Sequence, residues 1–521
     1  MRRSGTAALE DTLPARWLCG AAGCHQRACE PVCYPPNAGR KAPTARTASS
    51  CFEDTLSLAF CILDALDLTV VDTTRDSMSS KSRYLFSRRS TLAGFAAAGA
   101  YGVAGKHLAT AKPPPAPMGT CSSPTFSSTG PDAELYGAAE GYPLPDVALA
   151  KLQGNPWEAK YRVGIFSHLD KIYATRRVNR ATTPWTFKCS SAEICYPFQG
   201  NQFSPNDYLS RNAITGLLIT KDDRILFEHY QYGRTDRDRL LSQSMVKSIT
   251  GMLIGIAISE GAIKSVDDTA DTYVPGFKDT EYGRTPIRDL LHMSSGVDFG
   301  EDREGGRDLK RLWIDMVTPP PNFKKGTVNS IVQFNHRIAP PGTRYHYASI
   351  EPDVLGMVLH SAVNKSACDY LQEKVWGPMG AEADAEWIVD AEGIEVAHFG
   401  FNAVLRDYAR LGRLLAHDGV WEGKQILPRQ WMIDATTVRV SDAYLRPGKA
   451  LKMFGYGYLL WLFPGNRRQF ALVGYKGQYV CVDPPSKLVM VQTAVEAPGA
   501  ESNYEAWSLW SALVQQHGEE L

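Results

Sequence analysis

Ser244-Met-Val-Lys247-Ser-Ile-Thr-Gly-Met-Leu-Ile-Gly-Ile-Ala-Ile-Ser-Glu260-Gly261 is the stretch on which the reading of this chain turns. Met245, Val246, Ile249, Met252, Leu253, Ile254, Ile256, Ala257 and Ile258 leave no polar side on a 3.6-residue period, and Gly261 provides a C-terminal stop. A helix that is apolar all round belongs in the middle of a domain. Ser244 and Lys247 stand three residues apart at its first turn, so they share a face with about 5–6 Å between their β-carbons. A free lysine, with a pKa of about 10.4, is a poor base at neutral pH. Burial and the positive end of the helix dipole both disfavour the ammonium, which is what a lysine needs in order to take a proton from a serine. Backbone N–H groups at the same helix end are placed to stabilise an oxyanion. Ser-x-x-Lys occurs once in the whole chain.

Two further elements lie downstream. Tyr347-Ala348-Ser349 follows Pro341-Gly342-Thr343 and precedes the apolar run from Val354 to Leu359. A phenol two residues ahead of a small polar side chain, on a turn into a helix, can relay a proton to the nucleophile or leaving group. Tyr208-Leu209-Ser210 fits the same pattern but precedes the serine. Gly474-Tyr475-Lys476-Gly477-Gln478 separates two strand-like runs, Phe470 to Val473 and Tyr479 to Asp483. Glycine in a strand marks close backbone approach, and N–H groups there can complete an oxyanion hole with that of Ser244. Upstream, Ala213 to Thr220, the polar turn Lys221-Asp222-Asp223 and Arg224 to Tyr232 read as a hairpin. No Gly-x-Ser-x-Gly elbow is present, which disfavours a Ser-His-Asp hydrolase, and neither His292 nor His346 carries a role.

These elements, with Leu290-Leu-His-Met-Ser-Ser-Gly296, Phe401-Asn-Ala403 and Leu405-Arg-Asp-Tyr-Ala-Arg-Leu-Gly412, stand in one order from Asn206 to Gln516. In that order the chain resembles the serine β-lactamase-related hydrolases, and within them the class C-like branch of 6-aminohexanoate-dimer hydrolases and related esterases. The resemblance implies an α/β (α+β) fold of the β-lactamase/transpeptidase-like kind. That means an antiparallel sheet flanked by helices plus an all-helical region, here from Pro286 to about Ser441, with the site in the cleft between. It also implies Ser244 as nucleophile, Lys247 as its base and Tyr347 as proton relay. Ser349 would hydrogen-bond near the substrate amide. Tyr475, Gly477 and Gln478 would line the substrate, and the N–H groups of Ser244 and Gln478 would form the oxyanion hole. The chain departs from the family at its third motif, usually Lys-Thr-Gly. Tyr475 takes the lysine position and Lys476 the next, on the opposite face of a regular strand. A tyrosine offers a hydrogen bond and no fixed charge. The expectation is poor β-lactam hydrolysis and a small-molecule amide or ester substrate. A true β-lactamase or D,D-peptidase, and a non-catalytic sensor, are the alternatives.

Composition bounds the rest. The 521 residues are 44% hydrophobic and 21% charged, with 56 basic and 56 acidic side chains, which excludes wholesale disorder and leaves no basic footprint for nucleic acid. No apolar run approaches the ~20 residues of a membrane-spanning helix. Ser87-Arg-Arg-Ser-Thr-Leu92, the Ala/Gly-rich run from Thr91 to Gly105 and Ala109-Thr-Ala111 follow the order of a twin-arginine signal with its cleavage site. The expected product is periplasmic or secreted, delivered by the twin-arginine machinery, with no stable membrane insertion after cleavage. Met78 then reads as the start and 1–77, with six of the 11 cysteines, as a mis-called or disordered extension. Residues 78–111 are the signal, 112–205 a linker and N-terminal extension, and 206–517 the hydrolase domain. Cys189 and Cys195 form a local disulfide or remain free thiols. The spacing of Cys24, Cys29 and Cys33 with His25 matches no standard zinc arrangement, and no metal or cofactor is implied.

Overall fold

The computed structural model describes residues 124–138, 158–301, 306–496 and 499–521. The signal segment, the 1–77 extension and the Cys24–Cys33 cluster lie outside them. Ile214–Lys221 (β1) and Arg224–Tyr230 (β2) form the expected hairpin, turning at Asp222 with φ +52°. Gly455–Tyr456 (β3), Trp461–Leu462 (β4), Phe470–Gly474 (β5), Gln478–Asp483 (β6) and Leu488–Ala494 (β7) complete the main sheet in the order β2-β1-β7-β6-β5-β4-β3. Every pairing along that path is antiparallel. β5, β6 and β7 are buried at every position, so their sequences show no apolar–polar alternation, and the polar residues of β6 and β7 stand at or near the strand ends.

Residues ahead of Asn206 are woven into this framework. Thr125–Phe126 and Lys188–Cys189 add parallel to β2, making the sheet mixed at that edge. Thr175–Val178 begins a second, antiparallel sheet that continues through Ala385–Ile388, Phe401–Ala403 and Leu240–Leu241. The segment read as linker and extension thereby pairs strands whose outer N–H and C=O groups would otherwise stand open. The Cys189–Cys195 bridge is not formed: Cys189 is disulfide-bonded elsewhere and Cys195 is free. The two diverge because Cys189 is held on the edge of β2 while the backbone of Cys195 bonds the Gln516 side chain.

Met245–Ser259 (α1) is the apolar helix of the sequence, and every residue from Met245 to Ala257 is buried. The helical layer adds Arg307–Val317 (α2), Ile350–Val363 (α3) and Leu405–Ala416 (α4), with the strands Ala385–Ile388 and Phe401–Ala403 threaded through it; Gly499–His517 (α5) closes the chain. Among the described residues no helix is long and apolar enough to cross a membrane. α1 packs between α3 and the sheet, and α4 lies across β1, β6 and β7. On α4, Arg410 donates to Asp407 at 2.8 Å, and Asp407 accepts the N–H groups of Glu382 and Ala383 at 2.9 and 3.0 Å. Burial pushes the Asp407 carboxyl up to about 6, with Arg410 opposing it. Asp407 and Arg410, quoted in the family resemblance, therefore serve as a structural tie.

Gly412 lets α4 approach the sheet: a Cβ there would lie 2.5 Å from Val489 Cγ1 and 3.1 Å from Val480 Cγ1. Gly412→Ala should destabilise the fold by about 1–3 kcal/mol through overpacking, outweighing its better helix propensity. Urea unfolding monitored by circular dichroism checks this, and an unchanged midpoint would refute the close approach.

Candidate active site

The chain reaches Ser244 through a constrained elbow. Leu241 N–H donates to Phe166 O and Ser242 N–H to Phe401 O, both at 2.8 Å. Gln243 then takes φ +49°, and Ser244 opens α1 with φ −71° and ψ −4°. A non-glycine residue in the left-handed region costs about 1–3 kcal/mol and persists where its surroundings over-determine it. One such constraint is Gly474, at the end of β5. A Cβ on Gly474 would overlap the carbonyl oxygen of Ser242 and lie 2.9 Å from Gln243 Cβ. The third motif thus needs glycine at this position because two backbones meet there.

Lys247 Nζ donates to Ser244 Oγ at 2.7 Å and to the carbonyl of His398 at 3.0 Å. It lies 5.0 Å from the ring centroid of Tyr347, and the residue is 2% exposed. The His398 carbonyl is held in turn by Asp353 of α3. That carboxylate accepts the N–H groups of Ala397 and His398 at 2.9 and 3.2 Å and lies 2.7 Å from His398 Nδ1. His398 was not apparent in the sequence, because its working group is a main-chain carbonyl that any residue type would supply, and Asp353 acts only through that segment.

Tyr347 is half-buried and packs against Tyr456 and Trp461, with centroids 6.5 and 6.3 Å away. Tyr345 joins the same aromatic wall, its ring centroid 5.0 Å from that of Tyr456. Ser349, expected beside the substrate amide, is 2% exposed and donates its hydroxyl to Glu301 Oε1 at 2.6 Å. Its N–H donates to the other oxygen of the same carboxyl. Burial raises the Glu301 carboxyl above its usual range, while the charge of Lys247 and the Ser349 bonds pull it back.

The third motif is a tight connection between β5 and β6, with Lys476 at φ +62° and Gly477 at φ +87°. Gln478 lies opposite Gly474 in the ladder. Its amide nitrogen donates to the carbonyls of Tyr475, Lys476 and Ala494 at 3.0, 3.1 and 2.7 Å, and its oxygen accepts Ala494 N–H at 3.0 Å. The Gln478 side chain therefore staples the turn, and any part it takes in oxyanion binding falls to its backbone. Gln492 Nε2 donates to Gly477 O at 2.9 Å. Lys476 Nζ donates to Glu496 at 2.6 Å, and Glu496 also pairs with Arg162. Tyr475 is partly exposed beside them. Tyr208, the competing tyrosine of the sequence, is buried with its hydroxyl on Gln492 at 2.7 Å, a structural position. The His292 ring packs tilted against Tyr458, with centroids 4.9 Å apart, and His346 lies 2.8 Å from Phe299 O.

The arrangement brings Ser244, Lys247 and Tyr347 together, with the Gly474–Gln478 turn against the serine's elbow. Such a site, in a sheet covered by helices, is that of the β-lactamase/transpeptidase-like fold. The sequence profile of the beta-lactamase family matches residues 211–513, more than half of the chain, and the chain belongs to that family. The 6-aminohexanoate-dimer hydrolase of Paenarthrobacter ureafaciens is 24% identical over 288 residues, 54% of this chain and 73% of that protein. A protein of Escherichia coli (strain K12), provisionally described as a D-alanyl-D-alanine carboxypeptidase, is 25% identical over 186 residues, 32% of this chain and 41% of its own length. A solved structure from Bacillus anthracis, provisionally described as a 6-aminohexanoate-dimer hydrolase, shares the fold with a TM-score of 0.63 at 23% identity, over 70% of this chain and 96% of that one.

Gly474→Ala should push β5 away from the elbow and slow fluorophosphonate labelling of Ser244 by about 10–100-fold, the usual scale for a displacement near 1 Å. The measurement is the labelling rate of protein shown by circular dichroism to be folded, and a wild-type rate would dismiss the contact.

Proposed function

We propose that the chain is an exported serine hydrolase that cleaves an amide or ester through an acyl-enzyme on Ser244. The observation that carries this reading is the 2.7 Å hydrogen bond from Lys247 Nζ to Ser244 Oγ at the head of a buried helix. In the proposed cycle Lys247 takes the Ser244 proton as Oγ attacks the substrate carbonyl. The oxyanion is met by the N–H of Ser244 and by a backbone N–H of the Gly474–Gln478 turn, with Gln478 the sequence's candidate. Tyr347 relays the proton to the departing amine or alcohol, and water then releases the acyl group by the same groups in reverse.

Support for an amide or ester rather than a β-lactam comes from the third motif and from the relatives. Tyr475 brings no charge, and the neighbouring ammonium of Lys476 is bonded to Glu496. The similarity to the Paenarthrobacter hydrolase covers more of both chains than does that to the Escherichia coli protein. A D,D-peptidase or β-lactamase fits the family equally, and a sensor would keep the fold without turnover. Export rests on Arg88-Arg89, the apolar run and Ala109-Thr-Ala111. N-terminal sequencing of the native product tests it, and a product that begins near Met1 would end it.

A fluorophosphonate probe should label the wild type and leave Ser244→Ala unlabelled, and hydrolysis of p-nitrophenyl esters or of 6-aminohexanoate dimer should fall by about 10³-fold or more in that variant. Tyr347→Phe should lose about 10²–10⁴-fold. Folded wild-type protein that is never labelled would favour the sensor, and rapid cephalosporin hydrolysis would overturn the substrate class.

A further inference from the structure

The carbonyl that accepts Lys247 belongs to a short arch of chain whose supports are all visible. Val396 N–H donates to Ile388 O and Ile388 N–H donates to Gly400 O, both at 3.0 Å, so the two feet of the arch stand on one residue of the second sheet. Between them, residues 397 and 398 are held from α3. Asp353 Oδ1 accepts the N–H groups of Ala397 and His398 at 2.9 and 3.2 Å, and Oδ2 lies 2.7 Å from His398 Nδ1. Asp353 itself is 2% exposed. Gly356, three residues on and on the same face of α3, brings the helix against the arch: a Cβ there would lie 2.9 Å from Ala397 Cβ. On its far side the arch presents the His398 carbonyl to Lys247 Nζ at 3.0 Å, and that nitrogen stands 2.7 Å from Ser244 Oγ.

We infer that Asp353 is a positioning residue for the proposed reaction: by clamping residues 397 and 398 it aims the His398 carbonyl at Lys247, and that carbonyl turns the amine so that its lone pair faces Ser244. The inference rests on the assignment of Ser244 and Lys247 as nucleophile and base. A neutral amine carries two N–H groups and one lone pair, and a carbonyl oxygen can only accept. The carbonyl therefore takes an N–H and never the lone pair, which stays available to the Ser244 hydroxyl. As Oγ attacks, its proton passes to the nitrogen, the carbonyl keeps its bond to the ammonium, and the proton goes on to the leaving group. Asp353 neither gains nor loses one.

Asp353→Ala removes the clamp. Every folded molecule should still take up one fluorophosphonate, at a rate about 10–100-fold below that of the wild type. With p-nitrophenyl butyrate, kcat should fall by a similar factor while KM stays within about twofold, because one amine serves both acylation and deacylation. Asp353→Asn should recover most of the rate. Its oxygen can accept both N–H groups where Oδ1 now does, and its amide can donate to Nδ1 of the other imidazole tautomer. A general loosening of the cleft would instead raise KM or leave part of the protein unlabelled, and either result would overturn the inference.

If Asp353→Ala does not fold, Gly356→Ala tests the same point. Its methyl group has to push the arch off α3 while the carboxylate stays in place, and the labelling rate should fall with KM again unmoved. A wild-type labelling rate, in whichever of the two variants folds, overturns the inference. Wild-type protein whose Ser244 is never labelled would instead defeat the underlying assignment, so the two failures are distinguishable.

Discussion

Lys247 is buried and reaches Ser244, and holding an amine there makes demands on the structure around it. An amine taken out of water is costly unless its donors are met. Here they are met by Ser244 Oγ and the His398 carbonyl. Serine at the head of a helix ordinarily accepts a hydrogen bond from the backbone two or three residues on, worth about 1 kcal/mol. Ser244 makes no such bond, and its oxygen is left for the lysine. α1 lacks that cap, and its stability comes instead from burial on all sides between α3 and the sheet.

The same demand accounts for the second layer of contacts. Asp353 holds the His398 backbone, Gly474 lets β5 press on the elbow at Gln243, and the Gln478 side chain keeps the following turn in shape. Each acts on main chain rather than on a reacting atom. Around the site, separate segments, distant in sequence, thus converge on a few carbonyls and N–H groups.

This also explains what was legible in the sequence. α1 announced itself because a helix apolar all round has few alternatives, and the 214–230 hairpin and the strands flanking Gly474 were bounded by clear turn residues. Ser244, Lys247 and Tyr347, which the structure brings together, could be picked out because the chemistry proposed for them requires those side chains. Glu301 was hidden, since it opens the run Glu301-Asp-Arg-Glu304, which looks like an exposed charged loop. His398 was hidden because only its carbonyl matters to Lys247. Ser349 was found, but its partner was not, because a hydroxyl is equally suited to a substrate or to a carboxylate. Gln478 was chosen for its backbone, and the tie made by its amide to Ala494 depends on a neighbouring strand that spacing does not reveal.

The strands contributed ahead of Asn206 bear on where this protein can be divided. Similarity to the family begins at residue 211, but Thr125–Phe126, Thr175–Val178 and Lys188–Cys189 are already in the two sheets by then. A fragment trimmed to the family boundary would carry two raw ladders, ready to recruit the matching ladder of another copy, and would clump more readily than the longer chain.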